Sequence, residues 1–408
     1  MMPLSVSERM NTGNMSRLEN ETMKRKLICL GLMSLLLVGC GTESDTENKT
    51  ENKTEEKTFQ VTDMIGRKNS ISLEDAKRVV CIGAGALRLY SYIGDQENLV
   101  AVEDIERSVG SNVFESVSRP YYDINKEFYK TLPSCGKGGP QAQQAEAEKI
   151  LSVAPSLIIS EYGDVSKADA LQDQVGVPVV VVSYGKKSVF DDNVKHSFTL
   201  LGKVLGKEER ARNLNNYIAS AEQELASKAQ SVKEEEKKSI YIGCLGNWGT
   251  QDIYSTSSSF PLFEVSSIKN AVTSDVTVNN GKLEEEAFLS LNPDRIVLDS
   301  AGLARFKTTY ESDPSKFDEL KAFQAGEIYL EMPFNAYYTN LEIALMDSYF
   351  LASVAYPKIY QDFDLEGKYK EIGEAFLSKD CYTYVKSAPM SYGGFQKISN
   401  IKEFLSNV

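Results

Sequence analysis

Histidine is nearly absent: the 408 residues include one, His196, and a single tryptophan, Trp248. One histidine rules out a three-histidine zinc site and leaves Ser–His or Cys–His catalysis a single candidate base. His196 falls off the apolar stripe of a helical stretch, so it is expected to face solvent. No cysteine pair has the C-x-x-C spacing of a metal or redox site. The glycine-rich loops lack the Lys-Ser/Thr of a nucleotide P-loop. Basic charge is also short, with 45 Lys and Arg against 58 Asp and Glu and a net charge of −13. That sign argues against nucleic acid, which needs a basic surface to displace counterions. The apolar run at residues 27–38 is too short for the roughly 20 residues of a membrane-spanning helix.

What is present begins at that run. Lys24, Arg25 and Lys26 precede it, and Leu37-Val38-Gly39-Cys40 closes it. A basic flank, a short apolar core and small residues at the cut mark a secretory signal. The cysteine directly after Gly39 makes it a lipobox: Cys40 is expected to carry lipid, with the chain cut before it. Residues 1–39 are therefore read as signal peptide, with Met23 as the true start. They carry five basic and three acidic side chains, so their loss leaves a net charge near −15. Residues 40–58 are lipidated Cys40 and a tether in which Thr-Glu-Asn-Lys occurs twice in succession. With no apolar residue to join a core, that tether is expected to be disordered.

From Phe59 onward, short apolar strands alternate with helical patterns, as in α/β layers. Val79-Val80-Cys81-Ile82, Leu157-Ile158-Ile159, 179–182, Ile240-Tyr241-Ile242 and Arg295-Ile296-Val297-Leu298 are apolar enough for parallel strands covered on both faces. Some 350 ordered residues exceed one typical core, so two lobes are expected. An internal repeat supports this: 148–159 matches 286–297, each with an acid seven residues before a proline, a Leu-Ser between, and a strand after. The expected domains are an N-terminal α/β lobe at 59–187, a linker helix region at 188–236, and a C-terminal α/β lobe with C-terminal helices at 237–408. In the linker, Val194, Phe198, Leu201 and Leu205 form a stripe continued by Leu214, Tyr217 or Ile218, Ala221 and Leu225. Gly202 and Gly206 weaken the helix, with a break expected near Gly206. A helix of about 25 residues between lobes is a stiff spine, so lobe closure is expected to be modest. Of the cysteines, Cys29 leaves with the signal. Cys81 is expected to pack as a small hydrophobe, and a disulfide among Cys135, Cys244 and Cys381 stays open.

In α/β sheets, ligands bind beyond the carboxyl ends of strands. The first strand is followed by Gly83-Ala84-Gly85-Ala86-Leu87-Arg88, whose backbone N–H groups could face an anion. It is no dinucleotide fingerprint, since the third glycine is missing. The candidate ligand-binding set is Gly85, Ala86, Arg88, Arg119, Tyr121, Lys137, Gly138, Glu161, Tyr162, Trp248, Asn335, Tyr337 and Tyr338. Arg88, Arg119 and Lys137 would pair with oxyanions, and the rings would cover apolar ligand surface. A flat or bulky anionic chelate suits that set.

Val61-Thr62-Asp63-Met64-Ile65-Gly66-Arg67, then Arg78-Val79-Val80, resembles the opening of substrate-binding proteins that serve iron-siderophore, haem and cobalamin ABC importers. The helix–Pro–strand repeat, the helical linker and Asn335-Ala336-Tyr337-Tyr338-Thr339-Asn340-Leu341-Glu342-Ile343-Ala344 are similar too. The resemblance spans roughly residues 59–380. It implies two Rossmann-like lobes with mostly parallel sheets, one rigid linker helix and a ligand cleft between the lobes (a class III periplasmic binding protein). It also implies a monomeric, lipid-anchored extracytoplasmic protein, not an enzyme, that delivers cargo to a permease dimer with ATPase subunits. Glu148 and Glu286, the matched acids of the repeat, would dock against permease arginines. The expected cargo is an iron(III) chelate, with no cofactor and no direct metal ligand. Haem, cobalamin, and a small oxyanion such as molybdate or tungstate stay open, as does a sensor or adhesion lipoprotein without transport. A carboxylate-pair hydrolase is the enzyme reading left open, and the segment after Cys381 has no assigned role.

Overall fold

A computed structural model describes residues 58–408 apart from 111, 140, 141, 143, 187 and 247–250. All of them belong to the unit Glu55–Val408. The signal, Cys40, most of the tether and Trp248 lie outside the described residues.

The apolar strands assemble into two sheets of four. In the first, β3 (Val79–Ile82), β4 (Leu99–Ala101), β5 (Leu157–Ser160) and β6 (Val179–Val181) lie parallel in the order β4-β3-β5-β6. β3, β5 and β6 are buried along their whole length, as continuous apolar runs between helical layers require. In the second, β7 (Ile240–Gly243), β8 (Arg295–Asp299) and β9 (Ile328–Glu331) are parallel, and β10 (Gln396–Lys397) adds an antiparallel edge. β10 gives the segment after Cys381 a structural role.

A hairpin of β1 (Phe59–Thr62) and β2 (Lys68–Ile71) precedes the first sheet. Its turn is tied by Asp63, whose carboxylate accepts the amides of Ile65 and Arg67 at 3.2 and 2.8 Å. Arg67 pairs with Asp63 and Asp169 and donates to the Val179 carbonyl at 2.8 Å. Met64 extends the ladder to Val181 at 3.0 Å. The opening motif is thus a rivet that fastens the hairpin to the free edge of β6.

The two copies of the repeat have one local structure. Helix Ala147–Ser152 leads to β5 and helix Glu285–Leu291 to β8, with Ile150 and Phe288 buried at matched positions. Ala154 (φ 45°) and Asn292 (φ 39°) are both left-handed and both precede the proline, because proline disfavours the right-handed helical conformation in the residue before it.

The linker region is two helices, Asp192–Leu205 and Glu208–Gln230, separated by Gly206 in the left-handed conformation at φ 66°. They fold back on one another, so the spine is the 23-residue second helix alone. Gly202 permits the close approach: a β-carbon there would come within 2.6 Å of the Ala211 side chain. The predicted stripe is buried with Ile218, not Tyr217, carrying the 217/218 position. His196 is exposed. Cys81, Cys135, Cys244 and Cys381 are free and buried, and burial pushes each thiol well up from its ordinary range. Among the described residues no helix is long and apolar enough to cross a membrane.

Candidate functional site

The carboxyl ends of both sheets carry segments that meet: the residues after β3, β5 and β6 of the first lobe and those after β7, β8 and β9 of the second. The loop after β9 makes the principal contacts. Ser118 donates its hydroxyl to the Pro333 carbonyl, and the Tyr337 hydroxyl donates to Glu115 at 2.9 Å. Tyr338 stacks on Tyr184 with ring centres 5.0 Å apart and an 8° tilt. Tyr337 and Tyr338 are consecutive left-handed residues (φ 54° and 66°), a conformation that costs a side-chain-bearing residue on the order of 1 kcal/mol. Between the lobes, Phe114, Leu245, Gly246, Phe260, Asp299 and Phe334 help line a cavity of about 150 Å³. A larger groove of about 970 Å³ lies elsewhere, between β1 and the helical hairpin; it is wide open and away from both sets of strand ends.

The expected cationic set does not form. Arg88 is fully buried, and its guanidinium donates to the Tyr184 hydroxyl (3.1 Å) and the carbonyls of Ala336, Tyr337 (2.7 Å) and Thr339 (3.3 Å). Arg119 is buried against Glu106, the Ile105 carbonyl (3.0 Å) and the Tyr121 hydroxyl (3.3 Å). Tyr121 is fully buried and donates to Glu106. These groups are absorbed internally because burying a guanidinium costs free energy unless its donors are bonded, although Arg88 Nε and Arg119 Nη1 have no hydrogen-bond partner. Lys137 is exposed and contributes its backbone amide to Glu146 at 2.6 Å. Gly138 (φ 67°) packs on Glu103, where a β-carbon would clash at 2.5 Å. The anion that meets the Gly83 amide is Glu103 itself, at 3.1 Å. Burial pushes the Glu103 carboxyl up to about 7, with the Gly83 amide opposing. Gly85 and Ala86 are buried, and the Tyr337 carbonyl would stand 2.8 Å from a β-carbon at Gly85.

Glu161 and Tyr338 remain accessible, while the Tyr162 hydroxyl is buried and that of Tyr337 is taken by Glu115. Glu161 and Tyr162 are half-buried directly after β5, Tyr337 is half-buried, and Tyr338 and Asn335 are exposed. Burial pushes Glu161 up to about 8, with the Tyr338 hydroxyl opposing the rise. The Tyr162 hydroxyl has no hydrogen-bond partner. Several members were not anticipated. Tyr184 follows β6 at its carboxyl end, so the same strand-end argument reaches it. Phe114 and Glu115 sit on the short helix Val113–Val117, whose signal is Asn112 at the cap with Glu115 three residues on. Glu148 and Glu286 are both exposed in the first turns of the matched helices.

Two α/β lobes joined by a helix, with facing strand ends and a cleft between them, define a bilobal solute-binding protein. A model of the periplasmic binding protein family matches residues 79–330. The chain belongs to that family, a family of transport components and not enzymes. The ABC transporter substrate-binding lipoprotein YvrC of Bacillus subtilis strain 168, itself uncharacterized, is 23% identical over 268 residues, 65% of this chain and 77% of the relative. A periplasmic solute binding protein from Veillonella parvula superposes with a TM-score of 0.63 at 16% identity, over 81% of this chain and 97% of that one. The molybdate-bound binding protein MolA of Haemophilus influenzae superposes at 0.56 and 17% identity, over 79% of this chain and 98% of its own. At these identities the two structures share the fold.

Proposed function

We propose that the chain is the lipid-anchored substrate-binding component of an ABC importer, and that it carries an iron(III) chelate to the permease. The observation that supports the cargo class is the cleft's lining: Glu161 and Tyr338 present a carboxyl and a phenol at the junction of the lobes, beside the rings of Tyr184 and Tyr337. Hard oxygen donors suit a hard cation, and the rings suit the apolar body of a chelate. A small oxyanion ranks lower, because Arg88 and the Gly83 amide, its natural partners, are already committed. In this reading 59–187 and 237–408 are the lobes and Cys40 is the anchor. Glu148 and Glu286 dock the permease dimer that its ATPase subunits drive; exposed ion pairs are individually weak but at fixed spacing set register and partner choice.

Thermal unfolding of the protein lacking its leader, against ferric siderophores, ferric citrate, haem, cobalamin, molybdate and tungstate, tests the reading. A ligand at 100 times its Kd adds about 2.7 kcal/mol. A selective shift with a ferric chelate supports the proposal. A shift with molybdate or tungstate alone replaces the cargo, and no shift with any of them favours a sensor or adhesion role.

A further inference from the structure

Arg88 reaches across some 250 residues of sequence to hold three successive features of the loop after β9. Its Nη2 donates to the Ala336 carbonyl, and its Nη1 is shared among the carbonyls of Tyr337 and Thr339 and the Tyr184 hydroxyl. Tyr184 completes a ring of contacts, since its hydroxyl donates to the Gly85 carbonyl at 2.9 Å while its face carries the Tyr338 ring. Gly85 has no β-carbon, which lets the Tyr337 carbonyl come in over it. Within the loop the Ala336 amide donates to the Tyr338 carbonyl at 3.2 Å, the Thr339 hydroxyl to the Asn335 side chain at 3.3 Å, and Asn340 to the Phe334 carbonyl through its amide and side chain at 2.7 and 3.1 Å; none of these bonds engages the backbone of Tyr337. Its two central tyrosines are in a left-handed conformation that they would not hold on their own.

We infer that Arg88 is a positioning residue and not a ligand for the cargo's charge: it clasps the second lobe's loop and thereby builds the Tyr337–Tyr338 platform of the cleft. The inference rests on the cleft being the cargo site. A planar guanidinium is suited to this work because its rigid fork addresses several carbonyls at once, which a lysine ammonium on a flexible stem does not. The guanidinium also lies 5.1 Å over the Tyr121 ring of the first lobe. It is therefore held from the first lobe's side as well, so that the loop is set against a fixed point. The clasp adds to the Ser118–Pro333 and Glu115–Tyr337 contacts between the lobes, in keeping with small closure movements.

Hydrogen exchange of the ligand-free protein separates this role from charge recognition. In Arg88→Gln and Arg88→Lys, amides at 334–340 should exchange about tenfold faster or more, while those of β8 keep wild-type rates. The near-ultraviolet circular dichroism of the Tyr184–Tyr338 stack should fall in parallel. Wild-type protection of 334–340 in these variants overturns the inference. If neither variant folds, Tyr184→Phe decides the matter: it removes one clasp contact, and a smaller rise confined to the same amides is expected, with no rise overturning the inference. Ferric citrate and haem then serve as cargo probes. With a probe that binds wild type, Arg88→Gln and Tyr338→Ala should each weaken binding, the double variant no further than the weaker single, and equally at low and high salt. A loss confined to Arg88→Gln that salt abolishes makes Arg88 a charge partner of the cargo and overturns the inference. If neither probe binds wild type, the cargo proposal loses support, while the exchange pattern still decides the role of Arg88.

Discussion

Both lobes bury acids near the carboxyl ends of their sheets, and among the described residues compared in the two lobes a guanidinium meets one in the first alone. At the strand ends of the first lobe, Glu106 is met by Arg119 and Tyr121, Glu103 by the Gly83 amide, and Glu115 by the Gly110 amide and Tyr337. At those of the second, Asp299 ends β8, Glu331 stands opposite it at the end of β9, and Asp347 lies in helix Leu341–Ala355. All three are buried. Asp299 and Asp347 accept backbone amides at 2.8 and 3.2 Å, while neither Glu331 oxygen has a partner. Among the described residues, no group of acids, cysteines or histidines is arranged to hold a metal ion. Burial raises Asp299 to about 7, and burial plus the neighbouring acids raises Glu331 well beyond the carboxylate range. The first lobe matches Glu106 with a guanidinium while burial leaves Glu103 and Glu161 raised to about 7 and 8; in the second the buried acids face one another, and Glu331 and Asp347 rise well above the carboxylate range.

The strongest way to break this contrast is Arg119→Ala. Glu106 would be left buried beside Tyr121 alone, and denaturant unfolding should show a loss on the order of 3–5 kcal/mol. The second lobe's cluster should answer to pH, over a range that Glu103 and Glu161 of the first lobe share. An acid whose folded pKa is raised binds its proton more tightly folded than unfolded, so its contribution is fully present below about pH 4 and is lost as pH rises through the folded value. Stability measured between about pH 5 and 8 should therefore fall from this cluster, and Glu331→Gln should flatten the decline and be the more stable protein at the alkaline end. An unchanged slope would remove the second lobe from the comparison.

Smaller effects sharpen it. Ala154→Gly should raise the midpoint of thermal unfolding, worth about 0.5–1 kcal/mol, because glycine adopts the left-handed conformation without strain. Asn292→Gly, at the matched position, should change much less, since asparagine already tolerates that conformation. Glu148→Lys and Glu286→Lys should leave stability within about 0.5 kcal/mol. Each should nevertheless reduce stimulation of the partner ATPase in reconstituted vesicles, and full stimulation by the double variant would remove the docking role.

Much of this molecule is determined locally. Uninterrupted apolar runs such as Val79-Val80-Cys81-Ile82 specify strands buried on both faces, whatever surrounds them. The helix–Pro–strand repeat follows from what proline forbids to its neighbour, and Gly206 marks the end of a helix because it alone there takes φ > 0 without cost. These signals span a few residues each, so β3, β5, β6, β7, β8 and the linker break could be read directly, whereas the short or edge strands β1, β2, β4, β9 and β10 were not. Tertiary structure alone decided what the polar side chains do. Arg88 and Arg119 look like ligands for an anion when judged by charge and loop position. Their partners (the carbonyls of Ala336, Tyr337 and Thr339 and the carboxylate of Glu106) come from distant segments or from another loop, and burial favours bonding each guanidinium to them. Glu331 and Asp347 look like ordinary residues of a strand end and a helix, and become a proton-holding cluster only when packing excludes both water and cations. Backbone preferences act between neighbours in sequence, whereas charge and solvation act between neighbours in space; only the first kind is written in the order of the residues.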